Sequence, residues 1–259
     1  MLMVLSPAKK LDYDSPVRTQ QWSTPVFDGD TQALLKVMQG YQPAQLSRLM
    51  GLSDALAQLN VDRYAAWVKK PTRQHARQAI LAFNGDVYEG LQAADFSDKQ
   101  LDWAQEHLAI LSGLYGVLRP LDLIQPHRLE MGTRLPTDRG HNLYQFWGDK
   151  IAQALQQRLE QLGGTPVLLN LASQEYFKSV NRKALQARVI QCVFQDEKNG
   201  VWKVISFHAK RARGLMARFV IQHAITKPAQ LRKFSAENYA YCAEESDDDT
   251  LVFRRPARH

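Results

Sequence analysis

Residues 191–222 read QCVFQDEKNGVWKVISFHAKRARGLMARFVIQ, and within them apolar periodicity, turn chemistry and charge all change together. Val189 to Phe194 and Val201 to Phe207 are rich in β-branched and aromatic residues, which suit a half-buried pleated surface. The Asp-Glu-Lys-Asn-Gly between them ends in Asn199-Gly200, a pair fitted to the positive φ of a two-residue hairpin turn. Two antiparallel strands are expected. Leu215, Met216, Phe219, Val220 and Ile221 then recur at helical spacing among Lys210, Arg211, Arg213 and Arg218, so the second strand should feed a basic helix.

The charge is regional. From Lys198 to Ala236 there are nine Lys or Arg and no Asp or Glu. Extending back to Tyr176 adds Lys178, Arg182, Lys183 and Arg188 against Asp196 and Glu197 alone, while the formal net charge of the whole chain is only +7, so the remainder is net acidic. A charge run is ordinarily solvated surface, here balancing an acidic tail. These cations follow strands and sit among core-type residues, which favours an anion-binding surface.

With 259 residues, 45% of them hydrophobic and 23% charged, the chain has room for one large α/β domain or two smaller ones around a substantial core. No apolar run approaches the roughly 20 residues of a membrane span, and the start MLMVLSPAKK lacks the regions of a signal peptide. A cytoplasmic protein without a membrane partner is expected. Cys192 and Cys242, each placed by the pattern in a strand, have no metal-type spacing and read as small buried hydrophobes. A pI near 9.4 favours a polyanionic partner, nucleic acid being the commonest.

Outward from the central stretch, Met1 to Leu5 reads as a buried first strand with Lys9 and Lys10 just past its end, where α/β folds place working residues. Asp12 to Asp28 is expected to be loop. Helical periodicity covers 32–39 and 43–59, and the second segment has the spacing of a helix-hairpin-helix. Gly51 would permit the tight turn, Leu52 would plug the gap, and Ser53 would cap the second helix with N–H groups aimed at a phosphate. A plain αα-hairpin without ligand fits the same residues. Trp67 to Ala79, with Lys69, Lys70, Arg73 and Arg77, reads as a helix interrupted at Pro71, Ile80 to Phe83 as a strand, Ser97 to Gln105 as a capped helix and Leu108 to Leu111 as a strand. Leu111 to Asp122, LSGLYGVLRPLD, reads as a tight strand-to-helix turn. Tyr144 to Leu162 is an amphipathic helix and Val167 to Leu171 a buried strand with Lys178 beyond it. Tyr239 to Cys242 and Leu251 to Phe253 read as edge strands around the acidic run Glu244 to Asp249. The sum is one α/β domain over 1–259, a mixed sheet flanked by helices, with a largely helical portion at about 30–78.

The sequence lacks a phosphate-binding Gly-x-x-x-x-Gly-Lys-Ser/Thr loop, a Gly-x-Ser-x-Gly elbow, His-Glu-x-x-His and Cys-x-x-Cys. Neither a cofactor nor a metal site is expected. Lys9, Lys178 and Lys210 all follow strand ends, and a lysine whose pKa neighbouring cations depress can act as a nucleophile, so these three are the candidates for any catalysis. Tyr176, Phe177, Trp202 and Phe207 could stack on exposed bases, although aromatics beside strands more often belong to a core.

SPAK at Ser6 to Lys9, LSGLYGVLRPLD at Leu111 to Asp122, LYQFWGD at Leu143 to Asp149, NLAS-x-EYFKS at Asn170 to Ser179, and DEKNG through ISFHAKRARGLMARF resemble the YaaA family of peroxide stress proteins, and the match runs over almost the whole chain. The family's first motif usually continues with Thr where this chain has Lys10. The resemblance implies a single domain with a curved, melon-slice (cantaloupe) shape and a basic concave cleft. It implies binding of duplex and distorted DNA through the cleft and a helix-hairpin-helix, and limitation of peroxide damage in part by lowering unincorporated intracellular iron. By motif match Lys9, Lys178, Lys210, Arg213 and Arg218 are cleft candidates and Gly51 and Ser53 hairpin candidates. The basic stretches add Lys10, Lys183 and Arg211 as DNA contacts. The protein is expected to be a monomer that binds DNA without sequence preference and without turnover; the alternative is an enzyme acting through the cleft lysines on damaged DNA or a small anionic metabolite.

Overall fold

The computed structural model describes residues 1–257. Its centre is β1 (Leu2–Leu5), every residue of which is wholly buried, as expected of a strand covered on both faces. β2 (Leu108–Ser112) lies parallel to β1 on one side and β4 (Val167–Leu171) parallel on the other. β5 (Arg188–Lys198) and β8 (Thr250–Arg255) continue the parallel set beyond β4. Antiparallel strands finish the sheet: β3 (Gly116–Leu118) on β2, β6 (Val201–Lys203) on β5 and β7 (Ala240–Tyr241) on β8. The order is β7-β8-β5-β4-β1-β2-β3, with β6 extending from β5 in an eight-stranded sheet. The chain thus leaves β1 toward β2 and later returns to its other side at β4. Such a reversal opens a crevice past the carboxyl ends of the strands.

The helices flank this mixed sheet. α1 (Asp28–Gln39), α2 (Pro43–Met50) and α3 (Asp54–Ala65) precede α4 (Asp86–Leu91) and α5 (Asp98–His107); α6 (Leu143–Trp147), α7 (Lys150–Leu162), α8 (Gln174–Phe177) and the long α9 (Ser206–Gln222) follow. The α2–α3 turn has the expected local chemistry. Gly51 adopts a left-handed φ of 62° and closes α2 on Ser47, Leu52 is buried, and Ser53 Oγ accepts from the Leu56 N–H at 3.4 Å. Asn199 (φ 54°) and Gly200 (φ 73°) make the expected turn between β5 and β6.

Several expectations are corrected. The second strand of the central stretch stops at Lys203, and Phe207 and His208 belong to α9; β6 is an outlying strand whose Val201 and nearby Val204 find nothing to bury them. Of the helix expected over Trp67 to Ala79, the part up to Gln78 is not helical, because Pro71 is followed by a Thr72–His75 turn and Arg77 is drawn inside to donate to the Leu81 and Ser15 carbonyls at 3.2 and 2.6 Å. Ala79–Ala82 forms one helical turn rather than a strand, its first N–H groups taken by the Asp122 and Pro120 carbonyls. Gly113 to Gly116 joins two strands, not a strand and a helix: Gly116 (φ 70°) reverses the chain under the Trp147 ring, and Trp147 Nε1 donates to the Gly113 carbonyl at 3.0 Å. The helix expected over 144–162 is broken at Gly148 (φ 48°) into α6 and α7. Of the two strands expected at an edge, only β7 is one; β8 is an interior strand whose Leu251, Val252 and Phe253 are buried, and Cys242 lies just beyond β7. Both cysteines are free thiols, with Cys192 buried.

Candidate functional site

Past the carboxyl ends of β1, β2 and β4 lies a cavity of about 430 Å³. Each strand contributes the residues that follow it: Ser6 to Lys10 after β1, Ser112 and Gly113 at the end of β2, Ser173 after β4. The loop 127–130 and the start of α4, with Asp86, complete the lining, and α9 supplies Lys210 and Arg213.

Short backbone and hydroxyl contacts fix the strand ends. The Ser173 N–H donates to Ser6 Oγ at 2.8 Å, Ser6 Oγ lies 3.3 Å from Ser173 Oγ, and Tyr88 Oη donates to the Ser6 carbonyl at 3.0 Å. Ser173 also caps α8 by accepting from the Tyr176 N–H at 3.4 Å. Glu130 is held between Lys9 (2.7 Å) and Arg128 (3.2 Å). Tyr64 of α3 donates its hydroxyl to the Arg128 carbonyl, tying the N-terminal helices to this wall.

The cations are not all engaged alike. Among the described residues, Lys10, Lys210 and Arg213 have no carboxylate within ion-pair distance. Lys10 and Lys210 are exposed; Arg213 is recessed, and burial holds its pKa below the usual guanidinium value while the neighbouring Cys192 pulls the other way. The same burial pushes the Cys192 thiol up to about 12. An arginine does not give up its proton at that cost, so Arg213 presents a poorly solvated charge to the cavity.

His127 went unnoticed in the sequence. It is buried, edge-on to Tyr115 and Phe83, and its Nδ1 lies 2.8 Å from the Gln125 carbonyl, which can only accept. Burial pulls its pKa down to about 4, against a smaller opposing effect of that hydrogen bond. The ring is therefore neutral with the proton on Nδ1, and Nε2, which has no protein partner but is not sealed from solvent, opens to the cavity as an acceptor. Its only sequence signal was a place between Pro126 and Arg128.

Of the ten candidate residues, Lys9, Lys10, Lys210 and Arg213 line this cavity. The others stand elsewhere. Lys178 rests over the Tyr144 ring, 4.9 Å from its centroid, and Lys183 is exposed beyond α8. Arg211, on another face of α9, pairs with Glu237 at 2.6 Å, a contact that raises its pKa. Arg218 pairs with Asp95 at 3.4 Å and donates to the Leu91 and Gln92 carbonyls at 3.2 and 3.0 Å. Gly51 and Ser53 are at the α2–α3 turn and are not part of the cavity wall.

With the arrangement in view, the sequence comparisons are decisive: residues 1–245 match the family model described as peroxide stress protein YaaA. The chain belongs to the YaaA family of peroxide stress proteins. Its relatives include a UPF0246 protein of Bordetella petrii, 63% identical over 99% of this chain and 100% of the relative. One from Bordetella pertussis is 60% identical over 98% and 99%, and one from Tolumonas auensis 58% identical over 99% and 98%. Membership connects the protein with the response to peroxide. No described helix is long and apolar enough to cross a membrane.

Proposed function

We propose that this YaaA-family chain is a DNA-binding protein of the peroxide stress response. It holds duplex and distorted DNA without reading sequence, through the basic surface around the cavity and the α2–α3 turn, and it limits peroxide damage in part by lowering unincorporated intracellular iron. The observation that carries the reading is the meeting of Lys10, Lys210 and Arg213, from two distant parts of the chain, without carboxylate partners among the described residues. Phosphate contacts of this kind supply affinity that depends on salt and little discrimination between bases.

Fluorescence anisotropy with a labelled duplex, a bubble and random competitor DNA tests it. Binding should fall steeply with salt, and the double variant Lys10→Glu, Lys210→Glu should flatten the slope of log affinity against log salt by about 2. Both lysines are exposed, so the variant should fold normally. Absent or salt-independent binding would sink the reading. The iron arm is read by cellular iron measurements in a deletion strain complemented with wild type or the same variant.

A second reading, an enzyme acting through Lys9, Lys178 or Lys210 on damaged DNA or a small anionic metabolite, draws on the enclosure of the cavity and on Lys9 and Lys210 sharing it. Borohydride trapping of a lysine–aldehyde adduct on abasic DNA is its direct test.

A further inference from the structure

The recessed half of the cavity is hard to account for by an intact duplex. A phosphate in a duplex backbone can be met by exposed lysines such as Lys10 and Lys210, whereas Arg213 is only partly exposed and lines the 430 Å³ space with them. That volume falls within the range of small-molecule sites, about 300–1,000 Å³.

We propose that this cavity is the binding site of one small phosphorylated molecule of nucleotide size, its phosphate on Arg213 and Lys210 and a hydrogen-bond donor at its other end on Nε2 of His127. This goes beyond the backbone-binding reading and stands or falls separately from it.

Three features of the walls select that chemistry. Lys210 and Arg213 are three residues apart on α9, so they lie on neighbouring turns of one face, about 5–6 Å apart at Cβ. Two fixed positive charges at that spacing suit a dianion, and a phosphate monoester carries close to two negative charges at neutral pH, where a carboxylate carries one. The guanidinium fork adds two parallel donors to phosphate oxygens. Other residues of the lining have the reverse polarity. His127 Nε2 is an acceptor, and Asp86 lines the same cavity without an ion-pair partner among the described residues, whereas Glu130 is occupied by Lys9 and Arg128, and Glu175 by the Gly132 N–H at 2.9 Å. A ligand with phosphate at one end and amine or hydroxyl donors at the other meets both. A nucleotide has both ends, whether free or swung out of a DNA strand.

Isothermal titration calorimetry of the full chain with orthophosphate and with each of the four 5′-deoxynucleoside monophosphates tests the site. Saturable one-to-one binding in the millimolar range or tighter is expected for at least one mononucleotide. Arg213→Gln should weaken both phosphate and mononucleotide at least tenfold, with Arg213→Lys intermediate. His127→Phe, which fills the same space between Tyr115 and Phe83, should weaken the mononucleotide and leave orthophosphate unchanged. Circular dichroism confirms that each variant is folded, and the Lys variant serves if the Gln variant is not. Displacement of bound mononucleotide by bubble DNA but not by duplex identifies an extruded nucleotide as the source; failure of either DNA to displace it identifies a free one, and the site stands in both cases. No saturable binding by wild type at millimolar concentration, or binding indifferent to Arg213, overturns the proposal. Salt-dependent duplex binding that survives Arg213→Gln would leave the DNA reading intact whichever way this falls.

Discussion

Gly214→Ala should lower the thermal midpoint by roughly 4 °C, although alanine is the better helix former. α9 crosses α4 at Gly214 and Gly90 with backbones almost in contact. A Cβ on Gly214 would sit 1.8 Å from the Val87 carbonyl oxygen and 2.9 Å from the Leu91 nitrogen, and one on Gly90 would sit 2.3 Å from the Arg211 oxygen. These are backbone atoms and cannot rotate away. The gain from replacing a mid-helix glycine is about 1 kcal/mol. Forcing apart two packed helices costs about 3 kcal/mol or more, by the upper range of overpacking in a close-packed interior. A net loss of about 2 kcal/mol corresponds to the midpoint shift stated, at about 2 °C per kcal/mol, the lower end of the range for 150–250 residues, because this chain is somewhat larger. Gly29→Ala is the matched control: it lies in α1 with nothing within 4 Å of the added Cβ, so it should leave the midpoint unchanged or raise it. Calorimetry of the two variants decides. A midpoint for Gly214→Ala at or above wild type would mean that the two helices can separate freely.

The crossing matters for more than stability. Arg213 precedes Gly214, and Asp86 opens the helix that Gly214 touches, so the same contact sets where Arg213 and Asp86 stand in the lining of the cavity. In the sequence, Gly214 was an unremarked residue inside a basic helix, because a glycine there says only that something approaches, not what. Local signals fared better. The Asn199-Gly200 turn, the Ser97 cap and the apolar run of β1 are written in neighbouring residues and were legible as such. Where partners come from far along the chain, reading failed: Arg77 is internal because Ser15 and Leu81 offer carbonyls, and Ala79–Ala82 turns because the segment around Asp122 takes its N–H groups. The candidate site shows the same division. Lys9, Lys10, Lys210 and Arg213 were found from their places after strands and at the head of a helix. Arg211, by contrast, looked equivalent to Arg213 in a run of cations, yet helical rotation turns it toward Glu237. His127 was missed because its value lies in burial and in the Gln125 carbonyl, neither of which spacing reveals.

His127 should also make the fold acid-sensitive in a defined window. Burial is the largest cause of its depressed pKa, the proximity of Arg63 acts in the same direction, and the bond to Gln125 opposes both. In the unfolded chain the ring takes up its proton near pH 6.5 and in the folded protein near 4. Between those values the unfolded state binds more protons, so stability is complete above about pH 6.5 and is lost progressively as pH falls toward 4, below which this group adds nothing further. At 1.36 kcal/mol per unit, the loss is about 3 kcal/mol. His107, also depressed by burial, has the same sign, so the test must isolate one ring. Urea unfolding of wild type and His127→Phe at pH 7 and pH 4.5 does so: the wild type should lose about 2–3 kcal/mol more than the variant across that interval. Equal losses would show that the folded ring takes up its proton as readily as the unfolded one. A wild type that loses less than the variant would show that the folded ring already carries the proton at pH 7, so that Nε2 would be a donor, not an acceptor, and the polarity assigned to it in the cavity would reverse.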